Sequence, residues 1–248
     1  MSGHSKWSGI KHKKGLADAQ RGKIFSKLAK ELTTAARAGG GNPETNAKLR
    51  TLLQKVREAN MPSDNVERAI KRGTGELPGV SYEEMAFEGY GPGGIAIIVE
   101  ALTDNKNRAA SEIRTIFAKK GGSLAGAGSV SWLFHKKGFI VVDRKAIEED
   151  KLMDLVLNAG AEDLATQPET YEITTSTQDF EKVKQALNDA KIKLTSAEIT
   201  MIPSNTVKLT GNDAKQVLSL VQDLEDHDDV QNVYANFDIP DDILKENL

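Results

Sequence analysis

The sequence predicts an α+β multidomain protein, with an N-terminal three-helix bundle followed by two α+β domains, one of which is inserted in the other. Apolar residues recur with a helical period up to about residue 77, whereas short strand and helix patterns alternate after Pro78. Prolines stand near two of the implied domain junctions, at Pro78 and Pro203. With 248 residues, of which 39% are hydrophobic and 28% charged, the chain is long enough to bury two or three cores.

The first segment, residues 1–22, is predicted to be a basic flexible arm, because it contains four glycines and almost no apolar periodicity. A helix is predicted from Lys23 to Arg37, where apolar residues such as Leu28 and Leu32 fall on one side. Lysines fall on the opposite side of this helix. We expect them to extend the basic surface of the arm, although an ordinary solvated helix face would look the same.

The bundle is predicted to span 23–77. Pro43 suits the first turn of a second helix, and Ser63 is a suitable N-cap for a short third one. Each helix has one apolar face, which indicates a small bundle. The short connection between the second and third helices also permits a helix-turn-helix-like arrangement.

Strands and helices alternate in the rest of the chain. Strands are predicted over 82–88, 95–102, 139–143, 162–166, 171–176, 196–202, 206–209 and 230–236, and helices over 108–119, 146–158, 179–190 and 213–225. The order βαββαβ between 136 and 203 is that of the ferredoxin-like arrangement. The remaining parts, 79–135 and 204–248, are predicted to form one α+β domain around this insertion, in which the strands 206–209 and 230–236 and the helix 213–225 join the sheet left open at Phe134.

Charge is distributed unevenly along the chain. Residues 1–75 hold 16 Lys and Arg against 6 Asp and Glu, whereas the whole chain has 33 bases against 36 acids. A basic end on an acidic body indicates that one end binds a polyanion. There are no cysteines, which excludes disulfides, thiolate zinc sites and cysteine nucleophiles. The N-terminus lacks the apolar core of a signal peptide and the longest apolar run, 95–99, is too short to span a bilayer, so we expect a cytoplasmic protein without membrane contact.

Two glycine-rich segments resemble phosphate-binding loops only in their letters. Gly89, Gly91 and Gly94 match G-x-G-x-x-G but lie between two predicted strands, which favours a hairpin loop over a dinucleotide site. The segment Gly121–Gly128 lacks the Lys-Ser or Lys-Thr of a P-loop. It remains a candidate for close approach of the backbone to a partner.

No catalytic or metal-binding constellation emerges from the sequence. The four histidines fit no metal or general-base motif, and no G-x-S-x-G turn is present. The acidic run 223–229 could hold a hard cation, but it lacks the calcium-loop spacing, and a solvated acidic turn that closes a helix is the better interpretation. We therefore predict a protein that is not an enzyme and uses no cofactor or metal.

The N-terminal region carries the candidate nucleic-acid-binding residues. Lysines neutralise phosphates and release counterions, and an indole can stack on an exposed base. Trp7 could equally pack against the bundle as a staple, and the lysines could form a solvated tail. The candidate residues are Lys6, Trp7, Lys11, His12, Lys13, Lys14, Arg21, Lys23, Lys27 and Lys30.

Five stretches carry a resemblance to a known family. They are MSGHSKWSGIKHKKGLADAQRGKIFSKLAKEL, AGGGNPETNAKLR, ANMPSDNVERAIKRGTG, EGYGPGGIAIIVEALTDNKNRAASEIR and GSVSWLF. Together they resemble the YebC/PmpR family, which also includes a mitochondrial translational activator of cytochrome oxidase. The similarity runs the full length, and it implies a helical domain followed by two α+β domains, one ferredoxin-like and inserted in the other. The family's basic N-terminal segment corresponds here to Lys6, Lys11, Lys13, Lys14, Arg21 and Lys23.

The resemblance also implies a function. Family members are mostly described as probable transcriptional regulators that bind DNA, and no catalytic residues are established for them. The mitochondrial member points instead to translation. The leading hypothesis is therefore a non-enzymatic, nucleic-acid-binding regulator of gene expression. The alternatives are a translation factor that binds ribosomal RNA on the ribosome, and a protein-interaction adaptor that never contacts nucleic acid.

Overall fold

The structure, a computed structural model, describes residues 18–240 together with 243 and 244. The described helices are α1 (Asp18–Gly39), α2 (Ala47–Glu58), α3 (Ser63–Thr74), α4 (Lys106–Lys119), α5 (Glu149–Ala159), α6 (Phe180–Asp189) and α7 (Gly211–Asp226). The strands are β1 (Glu83–Tyr90), β2 (Ala96–Thr103), β3 (Ser123–Ala125), β4 (Phe134–Asp143), β5 (Ala161–Thr166), β6 (Thr170–Thr175), β7 (Leu194–Pro203), β8 (Val207–Lys208), β9 (Val230–Ala235) and β10 (Phe237–Asp238). These elements make an α+β multidomain fold, as the sequence predicts. None of the described helices is both long and apolar enough to cross a membrane.

The chain divides into two compact units. The first comprises the described residues up to Ser131 and those from Thr206 onward, and the second is Trp132–Asn205. Within the first unit, α1–α3 form a helical domain. The elements β1–β3, α4, α7 and β8–β10 form what we call the sheet domain. Each of these parts has its own cluster of buried apolar side chains.

The helical domain is built from three amphipathic helices. The first begins at Asp18 instead of at the predicted Lys23, because the single Gly22 costs only about 1 kcal/mol inside a helix and does not end it. The buried apolar side chains that hold the three helices together are Leu28, Leu32, Ala35, Leu49, Leu52, Val56, Met61 and Ala69.

Asn46 joins the first two helices through its side chain. Its Oδ1 accepts the N–H of Leu49 at 3.0 Å and so caps α2, while its Nδ2 donates to the carbonyl oxygens of Ala35, at 2.9 Å, and Gly40, at 2.8 Å. The residue is buried, so each of these bonds satisfies a polar group that water does not reach.

The first and third helices cross closely at a glycine. A Cβ atom on Gly73 would lie 2.4 Å from the carbonyl oxygen of Thr33 and 2.6 Å from the Cβ of Ala36. The Oγ1 of Thr33 donates to the carbonyl oxygen of Ala69 at 3.1 Å across the same crossing. The close approach therefore requires a residue without a side chain on α3.

The sheet domain contains an antiparallel sheet in the order β3-β1-β2-β9. Strand β2 is buried along nearly its whole length, and its inward residues Ile97 and Val99 pack in one cluster with Ile113 of α4 and Val221 of α7. The glycines at 89–94 connect β1 and β2, with Tyr90 opposite Ala96, which confirms the predicted hairpin.

Two expectations for this domain are wrong. The predicted glycine loop 121–128 contains β3, which pairs with β1. The segment 206–209 does not extend the sheet either. Instead, β8 pairs in parallel with β10 as a separate two-stranded ribbon. Asn236 explains the separation, because its side chain accepts the N–H of Ala96 at 2.7 Å and ends the pairing of β9 with β2 there.

The second unit contains an antiparallel sheet in the order β5-β6-β4-β7. Helices α5 and α6 pack on one face of it, where Leu152 and Val183 meet Ile140 and Ile173 of the central strands. This is the strand order of the ferredoxin-like arrangement, as the βαββαβ pattern predicts. The chain leaves the first unit at Ser131 and re-enters it at Thr206.

Candidate nucleic-acid interface

Six of the ten predicted nucleic-acid-binding residues lie outside the described part of the chain. They are Lys6, Trp7, Lys11, His12, Lys13 and Lys14. The other four, Arg21, Lys23, Lys27 and Lys30, lie on α1. Spacings of four and three residues place Lys23, Lys27 and Lys30 on one face of the helix, which we call the lysine row. Arg21 and Lys23 are exposed, whereas Lys27 and Lys30 are half-buried.

The lysine row contacts the end of α7 and the turn that follows it, Glu225–Asp229, which we call the acidic end. Lys23 Nζ lies 3.3 Å from an Asp226 carboxylate oxygen, and Lys27 Nζ donates to the carbonyl oxygen of Glu225 at 2.7 Å. Lys30 Nζ donates to the carbonyl oxygen of Asp228 at 3.0 Å and to the carboxylate of Asp229 at 2.6 Å. The expectation that all three lysines simply face solvent is therefore wrong.

Asp229 is the centre of this contact. Its side chain is 3% exposed, and its second oxygen accepts from Arg108 Nη2 at 2.7 Å and from Thr103 Oγ1 at 2.9 Å. Burial by itself raises the pKa of Asp229, but the hydrogen bonds from Lys30, Arg108 and Thr103 outweigh it and lower the pKa from 3.8 to about 2. The carboxylate is consequently ionised and fully hydrogen-bonded.

The position of the acidic end at a helix terminus strengthens the contact. The last carbonyl groups of α7 carry the negative end of the helix dipole, which favours nearby cations. Two of the lysines bond to main-chain carbonyl oxygens in this segment, at Glu225 and Asp228. The predicted solvated acidic turn is wrong in this respect, since Asp229 is buried and bonded to the helical domain. The sequence analysis did not predict this contact, and the opposite charges of 23–30 and 223–229 are the signal that could have indicated it.

Within the described residues, three potential metal ligands come together at Glu112, His227 and Asp229. Their atoms already bond to one another or to cations. His227 Nε2 lies 2.9 Å from a Glu112 oxygen, and His227 Nδ1 accepts the N–H of Asp229 at 3.1 Å. Because both carboxylate oxygens of Asp229 already accept from Lys30, Arg108 and Thr103, this arrangement is a hydrogen-bond network and not a vacant coordination shell.

The second and third helices carry further basic residues that the predicted set did not include. Arg50, Lys55 and Arg57 are exposed on α2. On α3, Arg68 bonds to Asn65 and to the carbonyl oxygen of Asp64, and Lys71 lies 2.6 Å from Glu67. Arg68 and Lys71 are thus held by neighbours on their own helix, whereas Lys55 and Arg57 are exposed to solvent.

The glycine-rich segment after β3 binds a carboxylate of the chain itself. Glu88 on β1 accepts the N–H groups of Gly128 at 2.8 Å, Val130 at 2.7 Å and Ser131 at 2.9 Å. Burial raises the pKa of Glu88, but these backbone hydrogen bonds outweigh it and lower the pKa below its usual value. The N–H groups that a phosphate would require are therefore already occupied.

Comparisons with known proteins cover nearly the whole chain. Residues 5–76 match the model of the TACO1/YebC protein N-terminal domain, and residues 82–237 match that of the TACO1/YebC second and third domain. A protein of Dictyoglomus turgidum is 56% identical over 99% of both chains, and one of Desulfatibacillum aliphaticivorans is 58% identical over 100% of both. Both are named probable transcriptional regulatory proteins.

A solved structure is similar as well. The crystal structure of a conserved hypothetical protein from Aquifex aeolicus is 46% identical, covers 90% of this chain and 93% of its own, and superposes with a TM-score of 0.78. Family models that together match most of the chain, and relatives of this identity over its full length, lead to one conclusion. The chain belongs to the TACO1/YebC family.

Proposed function

We propose that this protein is a non-enzymatic regulator of gene expression that binds duplex DNA by its phosphate backbone, using the basic N-terminal region. The observation that carries the proposal is the charge of that region, with 16 Lys and Arg against 6 Asp and Glu in residues 1–75. Such an excess releases counterions from a polyanion when it binds. The names of the curated relatives, probable transcriptional regulatory proteins, support a regulatory role.

The arrangement of cations favours contacts to phosphates over contacts to base edges. Reading a base in the major groove requires Arg, Asn or Gln side chains that project freely from a helix. Arg68 and Lys71 on α3 bond to residues of the same helix, whereas Lys55 and Arg57 on α2 are exposed. These features support recognition of backbone and shape.

Ribosomal RNA is the second candidate target, and the same observation favours it. Structured RNA is recognised largely through its shape, phosphates and 2′-hydroxyl groups. The exposed cations Lys55 and Arg57 on α2 suit this mode. On this candidate the protein would regulate translation on the ribosome.

A salt titration of binding to duplex DNA and to ribosomal RNA tests the proposal. The variant Lys11→Ala/Lys13→Ala/Lys14→Ala should weaken binding and reduce the slope of log K against log salt by up to about one unit for each lysine. The matched control removes three exposed lysines of the second unit, Lys136→Ala/Lys182→Ala/Lys193→Ala, and should leave the slope unchanged. Binding that is insensitive to salt and to the first variant would contradict the proposal.

Sedimentation of cell extracts distinguishes the two targets. Comigration with ribosomes that survives DNase but not RNase would favour the translational candidate over the transcriptional one. A protein that binds neither nucleic acid and comigrates with other proteins would instead be an adaptor.

A further inference from the structure

We propose that the acidic end of α7 occupies the lysine row in place of nucleic-acid phosphates, so that binding of nucleic acid displaces it and separates the helical domain from the sheet domain. This inference rests on the proposed function and names the regulation of the same site. It assigns to the contact a competitive, autoinhibitory role.

The contact consists of lysine ammonium groups bound by oxygen atoms. Lys23, Lys27 and Lys30 are bound by two carboxylates and two main-chain carbonyl oxygens, all within 3.3 Å of an Nζ atom. These carboxylate and carbonyl oxygens accept hydrogen bonds from lysines at one-turn spacing, and the carboxylates also supply negative charge, as phosphates do. Phosphates would therefore compete for the same ammonium groups.

The contact can open without disrupting a hydrophobic core. The apolar clusters of the helical domain and of the sheet domain share no residue. A further contact between these domains is also polar, because Lys48 Nζ lies 3.0 Å from a Glu84 carboxylate oxygen. Arg37 Nη2 donates at 3.2 Å to the carbonyl oxygen of Val80, in the connection between the domains. An open groove of 840 Å³ borders the lysine row, so that water and ions reach its edge.

Asp229 keeps hydrogen-bond partners when Lys30 leaves. Arg108 and Thr103 both belong to the sheet domain and stay bonded to the same carboxylate, so opening does not strand a buried charge. Lys23 and Asp226 are about 44% and 43% exposed, and a pair of that kind is screened by salt and easily exchanged.

Binding affinity tests the inference directly. The variant Asp226→Asn/Asp229→Asn weakens the contact but leaves every lysine in place. If the contact competes with nucleic acid, this variant should bind duplex DNA about threefold to tenfold more tightly, because a larger fraction of molecules has a free lysine row. The matched control Asp154→Asn/Asp213→Asn removes the same charge at two exposed positions away from the contact, and accounts for the general gain in attraction.

A distance measurement makes the test independent of any folding defect in that variant. The parent chain has no cysteine, so spin labels attach only to the cysteines that are introduced. We choose Gln54→Cys on α2 and Gln216→Cys on α7, because both positions are exposed. We expect DNA or ribosomal RNA to lengthen the distance between the labels. Binding with an unchanged distance and no gain in affinity over the control would overturn the competitive role alone. Absence of any binding by the parent would overturn the proposed function as well.

Discussion

Replacing Gly73 by alanine should loosen the helical domain, because α1 and α3 cross at this residue. The added Cβ would lie 2.4 Å from the carbonyl oxygen of Thr33 and 2.6 Å from the Cβ of Ala36, whereas carbon atoms pack best at about 3.5–4.0 Å. Both obstacles are rigid, so α3 must move away by about 1 Å. Overpacking of this kind costs about 3 kcal/mol at the upper end of its usual range. The better helix propensity of alanine returns about 1 kcal/mol, which leaves a net loss of about 2 kcal/mol.

Hydrogen–deuterium exchange of the full chain measures this loss within the helical domain alone. A net loss of 2 kcal/mol corresponds to exchange that is faster by about thirtyfold in peptides from α1 and α3. The control is Gly22→Ala, which also lies inside a helix, in this case α1, and where an added Cβ meets no atom within 4 Å. That change should slow exchange about fivefold, because it gains propensity without a clash. Equal effects of the two substitutions would refute the reasoning from the crossing.

Three further substitutions alter polar side chains that have several hydrogen-bond partners. Because the folded-state pKa of Asp229 is about 2 and the usual value is 3.8, its carboxylate stabilises the protein above about pH 4, and this stability disappears as the pH falls towards 2. We expect about 1–2 kcal/mol after allowance for the 43% exposure of Arg108, measured as the difference in urea unfolding between the parent and Asp229→Asn at pH 7 and its decrease at pH 3. Asn46→Asp should retain the cap of α2 but lose both donated bonds, and so destabilise the helical domain by about 1–3 kcal/mol in the same exchange assay, with Asn46→Ala at least as harmful. Glu88→Gln should speed amide exchange at Gly128, Val130 and Ser131 about tenfold, because one carboxylate oxygen is replaced by a donor; an unchanged rate would show that the carboxylate does not order this segment.

The sequence is sufficient to predict most elements of this fold, because their signals are local. The apolar stripe of α1 and the apolar run of β2 each occupy one continuous segment, and the βαββαβ order of the second unit follows from such segments taken in turn. The parallel pairing of β8 with β10 was not predictable in this way. It depends on Asn236, which ends the pairing of β9 with β2 at Ala96, 140 residues earlier, and accepts the N–H of Val207 from β8.

The candidate site was less predictable, for the same physical reason. The helical period correctly places the lysine row on one face of α1, but a period cannot show what covers that face. Lys27 bonds to a main-chain carbonyl oxygen 198 residues away, and such an acceptor carries no side-chain signature. Glu88 likewise resembles an ordinary strand residue in the sequence, because the donors to its carboxylate are main-chain N–H groups of the distant segment Gly128–Ser131.

The insertion of the second unit has a consequence for the order of folding during synthesis. The first unit completes its sheet only when β9 pairs with β2, and Ile97 lies opposite Ala235, a residue that is made after the whole of the second unit. Trp132–Asn205 contains all the strands of its own sheet and can fold as soon as it leaves the ribosome. Once folded, it brings Ser131 and Thr206 into a fixed spatial relation and shortens the effective loop that β9 must close. The inserted domain thereby lowers the entropic barrier to assembly of the domain that surrounds it.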